Sequence, residues 1–364
     1  MKTGQVNFES LINKLAAEKE NTRDYTTNTK YLEFHTDDER NCKLTIDTNK
    51  YGKKEYGITP LAETQLANRL KIPKKYYDLM KENEPALLDY NVNTWLKEKP
   101  ETRMVRTLYG NVRAFLSNRY QRIDNLDIAE KVLTVLGEHD DFVAGSMEVT
   151  NEHLYIKVIS EKFTDEISVG DAVQAGFVIS NSEVGLGSVK IEPLIYRLVC
   201  TNGMILPDRM YRKKHIGKKQ LTNEEDYGEE IFRRETIETE NKAYMMKIED
   251  VIRGALNEQI FRATVEKMRK ANSTTIDVDP EETVKSLSHT LLLSEPERIR
   301  VTDNYIEDEN FTQYGLANAV TKTANKTKDY ERATELERLG GIVLDTDIKA
   351  LLKKVDSRKL KKLF

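Results

Sequence analysis

Cations interleaved with aromatic rings are the residues of this chain whose types and spacing could act on a partner. They occur as Lys74, Lys75, Tyr76 and Tyr77; as Arg113, Phe115, Arg119, Tyr120 and Arg122; as Tyr196 and Arg197; and as Arg209, Tyr211, Arg212, Lys213 and Lys214. Cations follow a phosphate backbone while rings stack on unpaired bases, so the mixture suits single-stranded nucleic acid better than duplex. Arg113, Arg119 and Arg122 are the expected phosphate contacts and Tyr120 the stacking ring, with Arg212, Lys213 and Lys214 extending the track. Cross-strand packing of Arg and Tyr neighbours explains the same residues without a ligand.

Catalytic chemistry has no comparable signature. The Walker phosphate loop, the G-x-S-x-G nucleophile elbow and the H-E-x-x-H zinc motif are all missing from the sequence. His35, His139, His153, His215 and His289 each stand without a second ligand at helical or hairpin spacing, which reads as surface or satisfied core histidine. Val184 to Ser188 (VGLGS) has two glycines but no helix start behind it, so a hairpin turn is expected rather than a phosphate loop. No catalytic residue, metal or cofactor is assigned. A nuclease or nucleotide-processing site would need several of Asp124, Asp127, Asp171 and Glu183 to converge on one cleft.

Composition narrows the class. With 57 Lys+Arg against 61 Asp+Glu in 364 residues, the net charge of -4 excludes a generic polycation. Basic blocks at Asp208 to Lys219 and Lys349 to Phe364 flank an acidic block at Glu224 to Glu240, which could mask the first of them. Cys42 and Cys200 are too few and too far apart for a disulfide scaffold or structural zinc. No apolar run has transmembrane length, and no apolar signal core opens the sequence, so a cytoplasmic protein without a membrane partner is expected.

The elements that must position these residues follow from periodicity. Phe8 to Ala17 has helical spacing, followed by a polar linker, giving an N-terminal unit over 1–28. An α+β core over 29–223 starts with strands at 31–34, 43–46 and 56–59. Thr59-Pro60 starts a helix ending near Lys71, and Ile72-Pro73 starts another, PKKYYDLMKEN. The pair reads as helix-turn-helix or, preferably, as a packing module with Tyr77 and Met80 in the core. A helix at Pro85 to Leu96 precedes an Arg-rich hairpin at 104–125 turning at Tyr109-Gly110-Asn111; a helix at 126–136 and strands at 142–148, 153–160, 172–180 and 187–193 follow. The remainder, 224–364, reads as helical with a basic tail: one long stripe from Met245 to Met268, then helices at 281–293, 312–325, 330–338 and 346–356. Segregated strands and helices indicate an α+β fold, an antiparallel hairpin-rich sheet flanked by helices with a largely helical C-terminal part. The Met245 to Met268 stripe offers more apolar helix than a small sheet requires, which suggests a homo-oligomer.

Three passages, VRAFLSNRYQRIDN (112–125), VQAGFVISNSEVGLGSVKIEPLIYRLVCTNGM (173–204) and YERATELERLGG (330–341), resemble the phage/plasmid-like proteins that carry domain of unknown function 932. ITPLAETQLANRLKIPKKYYDLM (58–80) and NVNTWL (91–96) are also similar to members, although a Gly- and Trp-rich leader found in longer members is missing. The resemblance implies a mobile element in a bacterial host and assigns no catalytic residue. The expected function is DNA binding in recombination or replication, similar to that of phage annealing proteins. The alternatives are an interaction protein that inhibits a host defence factor and a cryptic nuclease.

Overall fold

The computed structural model describes residues 1–4, 6–48, 52–120, 122–138, 140–207, 212–213, 234–255, 258–348 and 350. The fold is α+β, with two sheets and a helical C-terminal part. Asn7 caps α1 (Phe8–Asn21) by accepting the Ser10 amide at 3.2 Å. The expected polar linker is instead strand β1 (Thr22–Asn28), paired along its whole length with β5 (Thr102–Leu108), from Thr22↔Leu108 to Asn28↔Thr102. An edge strand has one neighbour and needs no strict apolar alternation, so Thr and Tyr suffice to form it.

The first sheet adds β2 (Leu32–Thr36), β3 (Cys42–Thr48), β4 (Gly52–Ile58) and β6 (Asn111–Ser117), in the order β1-β5-β6-β4-β3-β2. One pairing departs from the antiparallel expectation: β4 and β6 run parallel through Gly57↔Asn111 and Ile58↔Val112. The chain between them supplies the crossover that parallel pairing needs, namely α2 (Pro60–Arg69), α3 (Lys74–Asn83), α4 (Pro85–Glu98) and β5. The hairpin of β5 and β6 turns where expected. Tyr109 (φ 47°) and Gly110 (φ 79°) both take the left-handed conformation that a two-residue turn between twisted strands requires. Leu66, Tyr77, Met80, Leu88, Val92 and Leu96 bury the helices against Phe34, Leu44, Ile46, Val105 and Val112. Each such side chain contributes roughly 1.5–3 kcal/mol by leaving water.

The second sheet is antiparallel and holds β7 (Phe142–Val149), β8 (Leu154–Glu166), β9 (Ala172–Asn181), β10 (Val189–Arg197) and β11 (Asn202–Ile205), with β12 (Arg212–Lys213) beside β10. On it pack α1, α5 (Asn125–Leu136) and α6 (Arg234–Ala255), through Leu11, Leu15, Ile128, Val132, Ile248 and Ile252. A second cluster joins Val173, Ala175, Ile195 and Met204 to α7 (Glu258–Asn272), α8 (Pro280–Ser288), α9 (Glu295–Glu307), α10 (Gln313–Lys326) and α11 (Tyr330–Asp345).

Two expectations about this region change. The stripe from Met245 to Met268 is two helices, with Tyr244, Ile248 and Ile252 of α6 in one core and Phe261, Val265 and Met268 of α7 in the other. Burial within the chain accounts for those residues, and the stripe offers no ground for a homo-oligomer. Helix α9 was not expected, because few apolar residues mark it. Its start is nevertheless written as a capping box, with Ser294 accepting from the Glu297 backbone and the Glu297 side chain accepting from the Ser294 amide at 2.8 Å. Most of the helix expected over 346–356 lies outside the described residues. Among the described residues no helix is long and apolar enough to cross a membrane.

Candidate nucleic-acid interface

The hairpin arginines do not form an open track. Arg113 projects from β6 onto Glu183, Nη2 to Oε2 2.7 Å, with both side chains about nine-tenths buried. Arg122 is exposed but pairs with Asp24 at 3.1 Å, and the Tyr120 hydroxyl donates to the Ser182 carbonyl at 2.8 Å with its ring half-buried. Burial raises the Tyr120 pKa, so the phenol stays protonated and keeps that bond. Arg119 is exposed as well, on the turn after β6. Arg212 and Lys213 pair through their backbones with Lys190 and Val189, while Lys214 lies outside the described residues.

What organises the hairpin is Arg106, a residue the sequence reading passed over. Its buried guanidinium donates to Asp24 at 3.0 Å, to the Glu183 carbonyl at 2.9 Å and to Asp124 at 3.1 Å. Glu183 also accepts the Asn125 amide at 2.6 Å, and Lys19 reaches Asp127 at 3.0 Å and Asp124 at 3.8 Å. Asp124 and Glu183 therefore do line one cleft, of about 240 Å³, and Asp127 pairs with Lys19 beside it, but all three serve as partners of cations. Asp171 is elsewhere, held by Arg197 at 2.5 Å and the Tyr314 hydroxyl at 2.9 Å. Carboxylates compensated in this way lock α1 and β1 onto the rest of the fold.

A different surface brings cations and rings together in the open. Helix α2 ends in a left-handed residue, Lys71 (φ 59°), after which the Ile72 amide donates back to the Ala67 carbonyl at 2.9 Å and Pro73 starts α3. This turn sets the Lys71 side chain and the first-turn residue Tyr76 beside α4, which contributes Asn91 and, one turn later, Trp95. The Trp95 indole donates to Asn91 Oδ1 at 2.9 Å, and Lys99 stands over its ring, 5.4 Å from the centroid. Tyr76 and Trp95 keep 45% and 39% of their surface in water, high values for large rings. They line a groove of about 560 Å³ with Arg69, Leu70, Lys71, Ile72, Pro73, Lys99 and Glu101, which sets three cations against one carboxylate.

Of the cation–aromatic runs singled out from the sequence, the groove contains only Tyr76. Tyr77 is core, and Lys74 pairs with Asp78 one turn along α3. Trp95 was legible only as a helix residue, because Leu70 to Pro73, α4 and Glu101 meet in space and not in sequence. His153 departs from the isolated reading: its Nδ1 lies 3.1 Å from both carboxylate oxygens of Glu331, with Glu152 close by. Burial and the neighbouring Glu331 charge raise the Glu152 pKa. Thr150 also donates to Glu331 at 2.5 Å, so these groups are hydrogen-bonded to one another.

Taken together, fold and surface define a two-sheet α+β protein with a cationic, aromatic-walled groove on its N-terminal helices. The family model for a domain of unknown function, DUF932, matches residues 113–353, more than half of the chain, and the protein belongs to that family. The groove lies before the matched segment. Neither the curated proteins nor the solved structures contain a match.

Proposed function

We propose that the protein binds single-stranded nucleic acid, DNA in the first place, in the recombination or replication of a phage or plasmid. The groove carries this reading. It sets the exposed rings of Trp95 and Tyr76 among Arg69, Lys71 and Lys99, so a base can stack while the adjoining phosphates meet positive charge. Its volume of about 560 Å³ suits one or two nucleotides of an extended strand rather than a duplex. The binding surface is therefore the α2–α3 turn with α4, and not Arg113 and Arg122, which the fold uses for ion pairs.

Fluorescence anisotropy with a labelled single strand and a duplex of equal length, each at two salt concentrations, tests the proposal. Saturable binding that favours the single strand and weakens with salt is expected. Binding that Trp95→Leu and Lys99→Gln leave untouched places the strand elsewhere. Absence of binding at low salt refutes the proposal and favours a protein partner for the exposed Leu79, Leu87 and Tyr90 on the same helices.

A further inference from the structure

At the end of the groove, Arg69 and Arg103 converge on the single carboxylate of Glu101. Arg103 donates through Nε at 2.7 Å and Nη2 at 2.6 Å, and Arg69 donates through the same two atoms. Each guanidinium thus presents its two-pronged edge, the geometry that fits carboxylate and phosphate alike. The two guanidiniums share this one carboxylate. Burial and the neighbouring Arg103 charge accordingly lower the Arg69 pKa.

We propose that Glu101 occupies a phosphate subsite: Arg69 and Arg103 receive a phosphate group of the bound strand when the Glu101 carboxylate moves aside. This rests on the groove reading and names the chemistry at one end of it. The exchange requires little. The Glu101 backbone is anchored independently of its carboxylate, since its amide donates to Thr29 Oγ1 at 3.1 Å and its carbonyl accepts the Thr29 amide at 2.9 Å. The Arg69 side chain is 47% exposed, so the ion pair it gives up is a weak one. Arg103, at 11% exposure, holds a fixed direction and keeps the subsite shaped. An internal phosphodiester replaces the carboxylate charge for charge, whereas a terminal phosphate, carrying about -1.5 to -2, comes closer to neutralising both guanidiniums.

The test is Glu101→Gln beside Glu98→Gln, an exposed acid at the end of α4 that does not line the groove. Removing the competing carboxylate should tighten single-strand binding about tenfold and steepen its salt dependence by about one phosphate, while Glu98→Gln changes affinity less than about twofold. Adding Arg69→Gln should cancel the gain. A larger gain for a 5′-phosphorylated than for a 5′-hydroxyl oligonucleotide assigns the subsite to a strand end, and equal gains assign it to an internal phosphate. Equal effects of Glu101→Gln and Glu98→Gln, or a gain that survives Arg69→Gln, overturn the subsite. Thermal stabilisation by inorganic phosphate separates this from the groove reading. If strands do not bind at all but phosphate stabilises Glu101→Gln and not its Arg69→Gln derivative, the subsite stands and the groove reading falls.

Discussion

Lys99 stands over the ring of Trp95, one helical turn along the chain, with its ammonium 5.4 Å from the ring centroid. On the other side of the ring nitrogen, Asn91 Oδ1 accepts the indole N–H at 2.9 Å. The ring is held on one helix by residues four before and four after it, although its surface is open to solvent. A ring fixed in this way loses little freedom when a base stacks on it, and its cation is already beside the place where a phosphate would lie.

Lys71 should prove to be a residue kept at a cost to stability. A left-handed position after a helix favours glycine, and a side chain there is strained. Lys71→Gly is expected to leave stability unchanged or raise it by about 0.5–1 kcal/mol, while weakening single-strand binding and lowering its salt dependence by about one phosphate. Urea unfolding together with anisotropy gives both quantities. Reduced stability with unchanged affinity would make Lys71 a structural residue only.

The hairpin arginines should separate by burial. Arg113→Gln leaves Glu183 buried without its guanidinium and is expected to cost about 3–5 kcal/mol. Arg122→Gln breaks a pair whose arginine is 57% exposed and should cost less than about 1 kcal/mol. Neither should change strand affinity once the protein is folded. Melting temperatures ordered the other way would contradict the assignment of Arg113 to the fold.

Local signals foretold much of this fold. Tyr109-Gly110 marked the hairpin, Thr59-Pro60 and Ile72-Pro73 marked the paired helices, and Gly137 closed α5 where expected. What escaped was set by partners distant in the chain. Strand β1 forms because β5 lies beside it, and Arg113 meets an acid 70 residues away, a neighbour that linear charge patterning cannot supply. The same limit hid the groove: Lys71 in the α2–α3 turn, Trp95 on α4 and Glu101 just after it are drawn together only by the packing of α2, α3 and α4.

Acid should act on the C-terminal helices through Glu297. Its carboxylate accepts Arg332 Nε at 2.7 Å and the Ser294 amide at 2.8 Å; the Arg332 bond leads in lowering its pKa from 4.5 to about 2. A carboxyl whose folded pKa is depressed contributes stability above its unfolded pKa and loses that contribution as pH falls through the folded one. The melting temperature should therefore drop between about pH 4.5 and pH 2, and Glu297→Gln should flatten that part of the profile while lowering stability at pH 7. A mutant profile parallel to the wild type would show that Glu297 is not the responsible group.

Trp95 is the only tryptophan in the chain, so its emission reports on the groove alone. Titrating the protein with an oligothymidine at low salt should quench that emission saturably, in step with the anisotropy of the labelled strand, and added salt should reverse it. Anisotropy that saturates while Trp95 emission stays constant, or a strand that does not bind, would contradict the assignment of single-stranded nucleic acid to this groove.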